Sequence, residues 1–474
     1  MKKIYLIISA VILAFSLNSC EKFLSEIPKS QLTPENSFTS AQDWEKALTS
    51  SYAMLQLVYA EKYTITLNNF GTDEAEPFDL SWAAYSELKH YTFSAQHEFF
   101  RVHYIWNYDG IKRANTIIDM PESAPVTAEE RRLMVAQARF LRAVFYFELV
   151  SYYGGVPLWL SASVDKNEIS KPRASADAVY EVIVKDMEFA AKNLPESWSG
   201  NDLGKATSGA ANALLGRFYL QWGKPADALT ALNKVIGKYH LYDDLNDVFL
   251  PEHKNENYEN IFEVQFKHSG NWGLEGSIQS SYWGPRGGGG PTDRGFGWGG
   301  MGASQYLYDS YEANDLRREK WFCTEYMGVP QNPPCIMKYR SPQYNTVIED
   351  DDLNYILMRY ADVLLMKAEA LNELDDSSND KYDCINEVRR RAHVSDLSGL
   401  SKEEFKAAVL KERMLELCCE HHRRTDLVRF GALKQQVKAA HGVDIQDHHN
   451  LYPIPQAAID GNDAMTQDDQ NPGY

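Results

Sequence analysis

Past residue 20 the chain has no apolar run approaching the ~20 consecutive residues that a membrane-spanning helix needs, so its body is expected to fold outside the bilayer. Positive charge is also scarce. The 48 Lys and Arg against 66 Asp and Glu leave a formal net charge of −18, which argues against nucleic acid and against electrostatic adhesion to anionic lipid. Cysteine is sparse, six in 474 residues. No G-x-S-x-G elbow, P-loop or paired C-x-x-C motif occurs, so hydrolase, nucleotide and zinc-ribbon chemistry lack their usual carriers.

What is present begins at the N-terminus. Met1-Lys2-Lys3 supplies positive charge, Ile4 to Phe15 is almost wholly apolar, and Leu17-Asn18-Ser19-Cys20 closes the segment on small residues and a cysteine. This layout reads as a signal peptide over residues 1–19, too short to span a membrane, whose cleavage leaves Cys20 first. The segment resembles a bacterial lipobox, which implies lipid attachment at Cys20 and a protein anchored to a membrane by acyl chains alone. Using Cys20 for lipid leaves Cys323, Cys335, Cys384, Cys418 and Cys419. That odd number excludes a full disulfide framework. Cys323 and Cys335 could bridge across the Gly-Val-Pro loop between them, and the others read as small core residues.

Most of the chain is patterned as amphipathic helix. Ala136, Phe140, Ala143, Phe147 and Val150 recur at spacings of three or four, as do Leu357, Tyr360, Leu364, Ala368 and Leu371, and then Ala407, Leu410, Met414 and Leu417. Leu215-Gly216-x-x-Tyr219, a Gly223-Lys224-Pro225 break, then Ala228 and Leu232 match a tetratricopeptide helix pair, in which small residues let two helices approach. The expected fold class is therefore mostly α, a tetratricopeptide-like helical-pair scaffold with long loop insertions and a few short β-strands. A helical region is expected over 20–240, a loop- and strand-rich excursion over 241–352 and a second helical region over 353–474, together one structural domain from 20 to 474. Within the excursion Ile261–Phe266 alternates as a strand does, and Gly284 to Gly302 holds ten glycines.

Several motifs invite chemistry, and most have a structural explanation. Gly297 to Gly302 fits G-x-G-x-x-G, but no strand precedes it to make a dinucleotide-binding unit. Cys418-Cys419-Glu420-His421-His422 puts only Cys418 and His422 on one helical face, and His97-Glu98 with His103 misses the H-E-x-x-H spacing, so no metal and no cofactor is expected. Glu349 to Asp352 is read as a run before a helix, favoured by its dipole. Asp73-Glu74-x-Glu76 could bind a cation or a ligand hydroxyl, or serve a glycosidase. Aromatics are the more telling surplus. Trp82 and Tyr85 sit in a Pro- and Asp-bearing stretch, and Trp272, Tyr282, Trp283, Phe296, Trp298 and Trp321 populate the excursion. Rings displayed on loops offer flat apolar faces that suit sugars as well as peptides.

Longer blocks resemble one family. Ala138-Arg139-Phe140-Leu141-Arg142-Ala143, Tyr146-Phe147 and Tyr153-Gly154-Gly155-Val156-Pro157-Leu158 are similar to the N-terminal hallmark of SusD/RagB-like lipoproteins of Bacteroidetes. Lys205-Ala206-Thr207, Arg359 to Ala370, Asn386-x-Val388-Arg389-x-Arg391-Ala392, Glu412-Arg413-x-x-Glu416-Leu417 and Leu451-Tyr452-Pro453-Ile454-Pro455 follow in the family's order. His421 departs from a usual glycine and Arg424 from a usual aromatic.

The resemblance implies a lipid-anchored protein at the outer-membrane cell surface. It would bind a nutrient oligomer, most often a glycan fragment and sometimes a peptide, and deliver it to a SusC-like TonB-dependent transporter. No catalysis is expected. A surface glycosidase using Asp73 or Glu76 and a helical adaptor with protein partners only are the competing classes. The candidate ligand residues, chosen from aromatic surplus and loop placement, are Asn69, Asp73, Trp82, Tyr85, Trp272, Tyr282, Trp283 and Trp298. Arg139, Arg142, Glu369 and Glu416 lie beside apolar stripes and read as helix-to-helix pairs.

Overall fold

The computed structural model describes residues 38–162, 169–270, 276–285, 299–339, 350–374, 377 and 379–474. Helices α1 (Ala41–Ala60), α2 (Lys62–Asn69), α3 (Ala83–His90), α4 (Glu98–Ile118), α5 (Ala128–Tyr153), α6 (Ala176–Asn193), α7 (Ser208–Gln221) and α8 (Pro225–Leu232) come first. Short helices α9 (Gln279–Trp283), α10 (Gln305–Asp309) and α11 (Leu316–Trp321) lie in the excursion. Helices α12 (Tyr360–Glu373), α13 (Asp380–Arg391), α14 (Lys402–Leu417), α15 (Arg423–Arg429), α16 (Leu433–His441) and α17 (Gln456–Asp460) complete the body. Neighbours in sequence pack side by side from α4 to α8, and α8 then meets α12, which packs on α13 and α14. This is the expected scaffold of helical pairs.

Helix α5 is the spine. Thr127 accepts from the Glu130 amide while Glu130 accepts from the Thr127 amide, a capping box that fixes its start. Gly154, at φ 71°, ends it in a backbone region that a side chain would oppose. The sequence pattern predicts one apolar stripe, but every residue from Phe140 to Tyr153 is buried. Helices α4 and α6 cover its flanks and Phe140 meets Phe262 edge-on at 4.9 Å, so polar members need internal partners. Arg142 grips Asp186 of α6 through two bonds of 2.7 and 2.9 Å and donates to Asn115 of α4, tying three helices.

The α7–α8 pair shows why the repeat needs a glycine. A Cβ on Gly216 would lie 2.5 Å from Leu232 Cδ2, and Leu232 is itself buried. Gly216→Val should therefore lower stability by about 2 kcal/mol, as overpacking does, read as a shifted denaturant midpoint. An unchanged midpoint would show that the pair can open at no cost.

Strands are few and short. β1 (Ala75–Pro77) pairs antiparallel with β3 (Met301–Ala303), β2 (Asn260–Val264) with β6 (Tyr355–Arg359), and β4 (Phe322–Tyr326) with β5 (Val329–Ile336). The strand expected at Ile261 to Phe266 forms as β2, and all five of its residues are buried. In the β4–β5 hairpin Cys323 stands opposite Cys335, and the structure records no disulfide between them. The acidic run precedes strand β6 rather than a helix, which corrects the dipole reading. Asp350 accepts from the Ser269 and Gly270 amides and Asp351 from the Ser280 amide, so these carboxylates tie the end of the excursion to its middle. Burial pushes the Asp351 carboxyl up to about 7. Glu349 lies outside the described residues.

Beneath the excursion runs a buried ionic network. Glu416 accepts from Arg359 at 2.7 Å, Arg391 at 2.5 Å and Arg317 at 3.1 Å. Arg317 also meets Asp315 and Glu412, and Arg359 also meets Glu259 and Glu420. Burial would raise the Glu416 carboxyl, but Arg391, Arg359 and Arg317 together hold it well below the usual carboxylate range. Glu369 pairs with Arg429, linking α12 to α15.

The two residues that depart from the resembled pattern each have a defined place in the structure. His421, at φ 66°, occupies the left-handed region that glycine favours, at a cost of about 1–2 kcal/mol, and its ring stacks on Tyr355 at 4.8 Å. Arg424 lays its guanidinium 3.8 Å over the Tyr452 ring, a planar cation where a planar ring is usual.

Candidate functional site

Trp82 is the N-cap of α3, held in extended backbone, and its side chain remains 37% exposed. Buried rings support it: Phe99 lies edge-on at 5.2 Å and Tyr85 tilts against it at 4.7 Å. Half-buried Tyr63 of α2 approaches at 6.4 Å, and Tyr63 in turn meets half-buried Trp106 of α4 at 6.1 Å. Lys62 Nζ sits 5.4 Å from the Tyr63 ring and 5.9 Å from Trp82. The result is a half-open aromatic array, Trp82, Tyr63 and Trp106, fixed by three helices over a packed floor. Such an array presents flat apolar faces beside a cation, a surface able to stack rings and hydrogen-bond their polar edges.

The other proposed ligand residues have different places. Tyr85 is buried, and its hydroxyl bonds that of Tyr282 at 2.6 Å, which continues to Thr66 at 2.5 Å. Burial raises both phenols, so neither ionises at neutral pH. Tyr282 and Trp283 are fully enclosed, Trp283 stacking on Tyr339, so they stiffen the floor and offer no face. Asn69 is fully buried and donates to the Ile65 carbonyl inside α2. Cys20, Trp272, Phe296 and Trp298 lie outside the described residues, as does Gly297 of the glycine motif.

Asp73-Glu74-x-Glu76 proves to be a clamp. Asp73 is 0% exposed and takes two bonds from Arg423, at 2.7 and 2.6 Å. Glu74 accepts from the Cys419 amide, and burial raises its carboxyl. Glu76 meets Lys89 at 3.0 Å and His441 at 3.2 Å; the His441 and Lys89 contacts bring its carboxyl down to about 2. All three carboxylates are thus committed to intramolecular partners, which corrects the reading of Asp73 as a ligand group. They join the segment after α2 to the loop after α14 through Glu74, to α15 through Asp73 and to α16 through Glu76. In that loop Glu420 is held by Lys338 and Arg359, and burial pushes His421 and His422 down to about 3, leaving them neutral.

The sequence reading misses Tyr63, Trp106 and Lys62. Tyr63 and Trp106 occur inside helical patterns, where an aromatic reads as core. Only the approach of α2 to α4 brings them beside Trp82.

Comparison with known proteins agrees with this architecture. Residues 327–474 match the SusD family, and residues 22–220 match the family described as "Starch-binding associating with outer membrane". Among relatives, SusD-like protein P25 of Formosa agariphila is 28% identical, with all of both chains aligned. SusD-like protein P2 of the same organism is 28% identical over 98% of this chain and 99% of its own. A solved laminarin-binding SusD-like protein superimposes with a TM-score of 0.80 at 26% identity, covering 92% of this chain and 100% of that one. With its helical pairs, short strands and ordered sequence blocks in common with these proteins, the chain belongs to the SusD/RagB family of Bacteroidetes outer-membrane proteins.

Proposed function

We propose that this protein captures a nutrient oligosaccharide at the cell surface and delivers it to a SusC-like TonB-dependent transporter, held to the outer membrane by lipid on Cys20. The observation that carries the reading is the half-open array of Trp82, Tyr63 and Trp106 on a rigid floor. Stacking supplies affinity, and a surface that is already in place loses little entropy on binding. A relative of the same fold whose name records laminarin binding makes a β-glucan a natural first ligand to test. The protein holds and transfers its ligand without cleaving it, since the acidic motif that a glycosidase would use is consumed by Arg423, the Cys419 amide, Lys89 and His441. A peptide is the second ligand class, favoured by Lys62 at the edge of the array.

Affinity electrophoresis against a panel of neutral polysaccharides, with a peptide library in parallel, tests this. Trp82→Ala should weaken retention roughly five- to thirty-fold, the equivalent of about 1–2 kcal/mol of ring contact. The packing substitution Phe147→Leu should leave retention unchanged. Equal retention by wild type and Trp82→Ala would remove the platform from the binding site.

A further inference from the structure

A cleft of about 570 Å³ opens on a different face of α4 from Trp106, within the ~300–1,000 Å³ typical of small-molecule sites. Its floor is aromatic: Tyr104 and Tyr108 of α4 lie 4.9 Å apart, and Trp159 faces them from the segment after α5. Helix α17 and Pro455 form the opposite wall. The walls are fastened in advance. Tyr108 donates to the Pro157 carbonyl at 2.8 Å, and Asn115 and Tyr146 both donate to the Trp159 carbonyl at 2.9 Å. On the other side the Gln456 amide donates to the Ala95 carbonyl at 2.9 Å.

Apolar exposure gathers here. Ile105 is 45% exposed and Ile169 68%, and both line the cleft, while Leu160 beside Trp159 is 42% exposed. Along α4, Arg101, Ile105, Tyr108 and Lys112 fall at spacings of three and four, which places an apolar centre between two cations on one helical stripe. Both cations are exposed, and among the described residues neither has a carboxylate partner. Among the described residues Asp109 is the one acidic side chain lining the cleft, and it too has no cation partner there. In a chain of net charge −18, an aromatic cleft whose described lining carries two uncommitted cations and one carboxylate stands out for its excess of positive charge.

We propose that this cleft is a second saccharide site, selective for sugars that carry a carboxylate, because its rings and aliphatic wall fit a pyranose face while Arg101 and Lys112 fit the acid. This rests on the reading of the chain as a saccharide-binding protein. Half-buried Tyr108 and Trp159 take the C–H faces over buried Tyr104, Asp109 accepts from ring hydroxyls, and the two cations take the acid groups through charge-assisted bonds. Neutral sugars lack that last contact.

Titration calorimetry of the detergent-solubilised full-length protein with oligogalacturonate, oligomannuronate and a glucuronate-containing oligosaccharide tests the site. At least one should bind saturably to wild type and equally to Trp82→Ala. The same ligand should bind at least tenfold more weakly to Arg101→Gln/Lys112→Gln, and its methyl ester should bind wild type at least tenfold more weakly. The substituted side chains are exposed, so the double variant keeps its fold, verified by an unchanged thermal transition. Saturable binding of none of the three acids, equal affinity in the double variant, or equal affinity of the ester would each overturn the proposal. Loss of acid binding in Trp82→Ala would move the ligand to the platform and overturn the cleft while sparing the function proposed above. Absence of both neutral and acidic binding would overturn both.

Discussion

Replacing Glu416 by Ala should destabilise the protein by about 3–5 kcal/mol, the usual cost of removing one partner from a buried ionic cluster. Three guanidinium groups converge on this one carboxylate from α11, β6 and α13, and Glu416 itself is 0% exposed. Without it Arg391 keeps Glu259, Arg359 keeps Glu259 and Glu420, and Arg317 keeps Asp315 and Glu412, so each guanidinium retains a partner but all three lose the carboxylate they share. A guanidinium denaturation curve reads the loss directly. Titration supplies an independent check. Because the folded carboxyl is held below its unfolded value, its contribution is present in full above the ordinary Glu value of about 4.3 and is lost as pH falls through the lower folded value. Glu416→Gln should therefore be less stable than wild type at pH 7, yet lose less stability than wild type on acidification from pH 5 to pH 2. Parallel pH profiles would show that the cluster does not act through this group's charge.

Asp73→Ala is the second large effect, expected at about 3 kcal/mol or more, because it strands Arg423, which is almost wholly buried, without its bidentate partner. The readout separates two roles. As a clamp, Asp73 governs the unfolding midpoint, and saccharide retention by the folded fraction stays as in wild type. As a ligand group or catalytic acid, its loss would leave the midpoint in place and abolish retention or turnover. A midpoint within about 0.5 kcal/mol of wild type, the range of ordinary surface substitutions, would contradict the burial of this pair.

The contrast between Trp82 and Asp73 shows what the sequence could reveal. Helical spacing locates the spine helix, the α7–α8 pair and its close-approach glycine, because those features depend on residues within one or two turns of each other. It also finds Trp82, a bulky ring in a polar stretch between helices. Asp73 stands in an equally polar stretch, and nothing local distinguishes a carboxylate awaiting a ligand from one awaiting Arg423, 350 positions away. Tyr282 and Trp283 mislead for the same reason, since a glycine-bearing excursion reads as surface until the strands that cover it are placed. The acidic run before β6 misleads because a five-residue strand separates it from α12. Tyr63 and Trp106 mislead in the opposite direction, as half-exposed rings inside a helical pattern.

The clamps that close this body span most of the sequence. Asn471 donates to the Tyr153 carbonyl across 318 positions, the Cys419 amide to Glu74 across 345, and Arg423 to Asp73 across 350. Contacts so distant form only after the intervening segments have been ordered, since each must first overcome the entropy of a very long closure. During synthesis, therefore, the early helices exist without their final seal. The helical pairs, whose contacts are local, can assemble before any of these clamps closes.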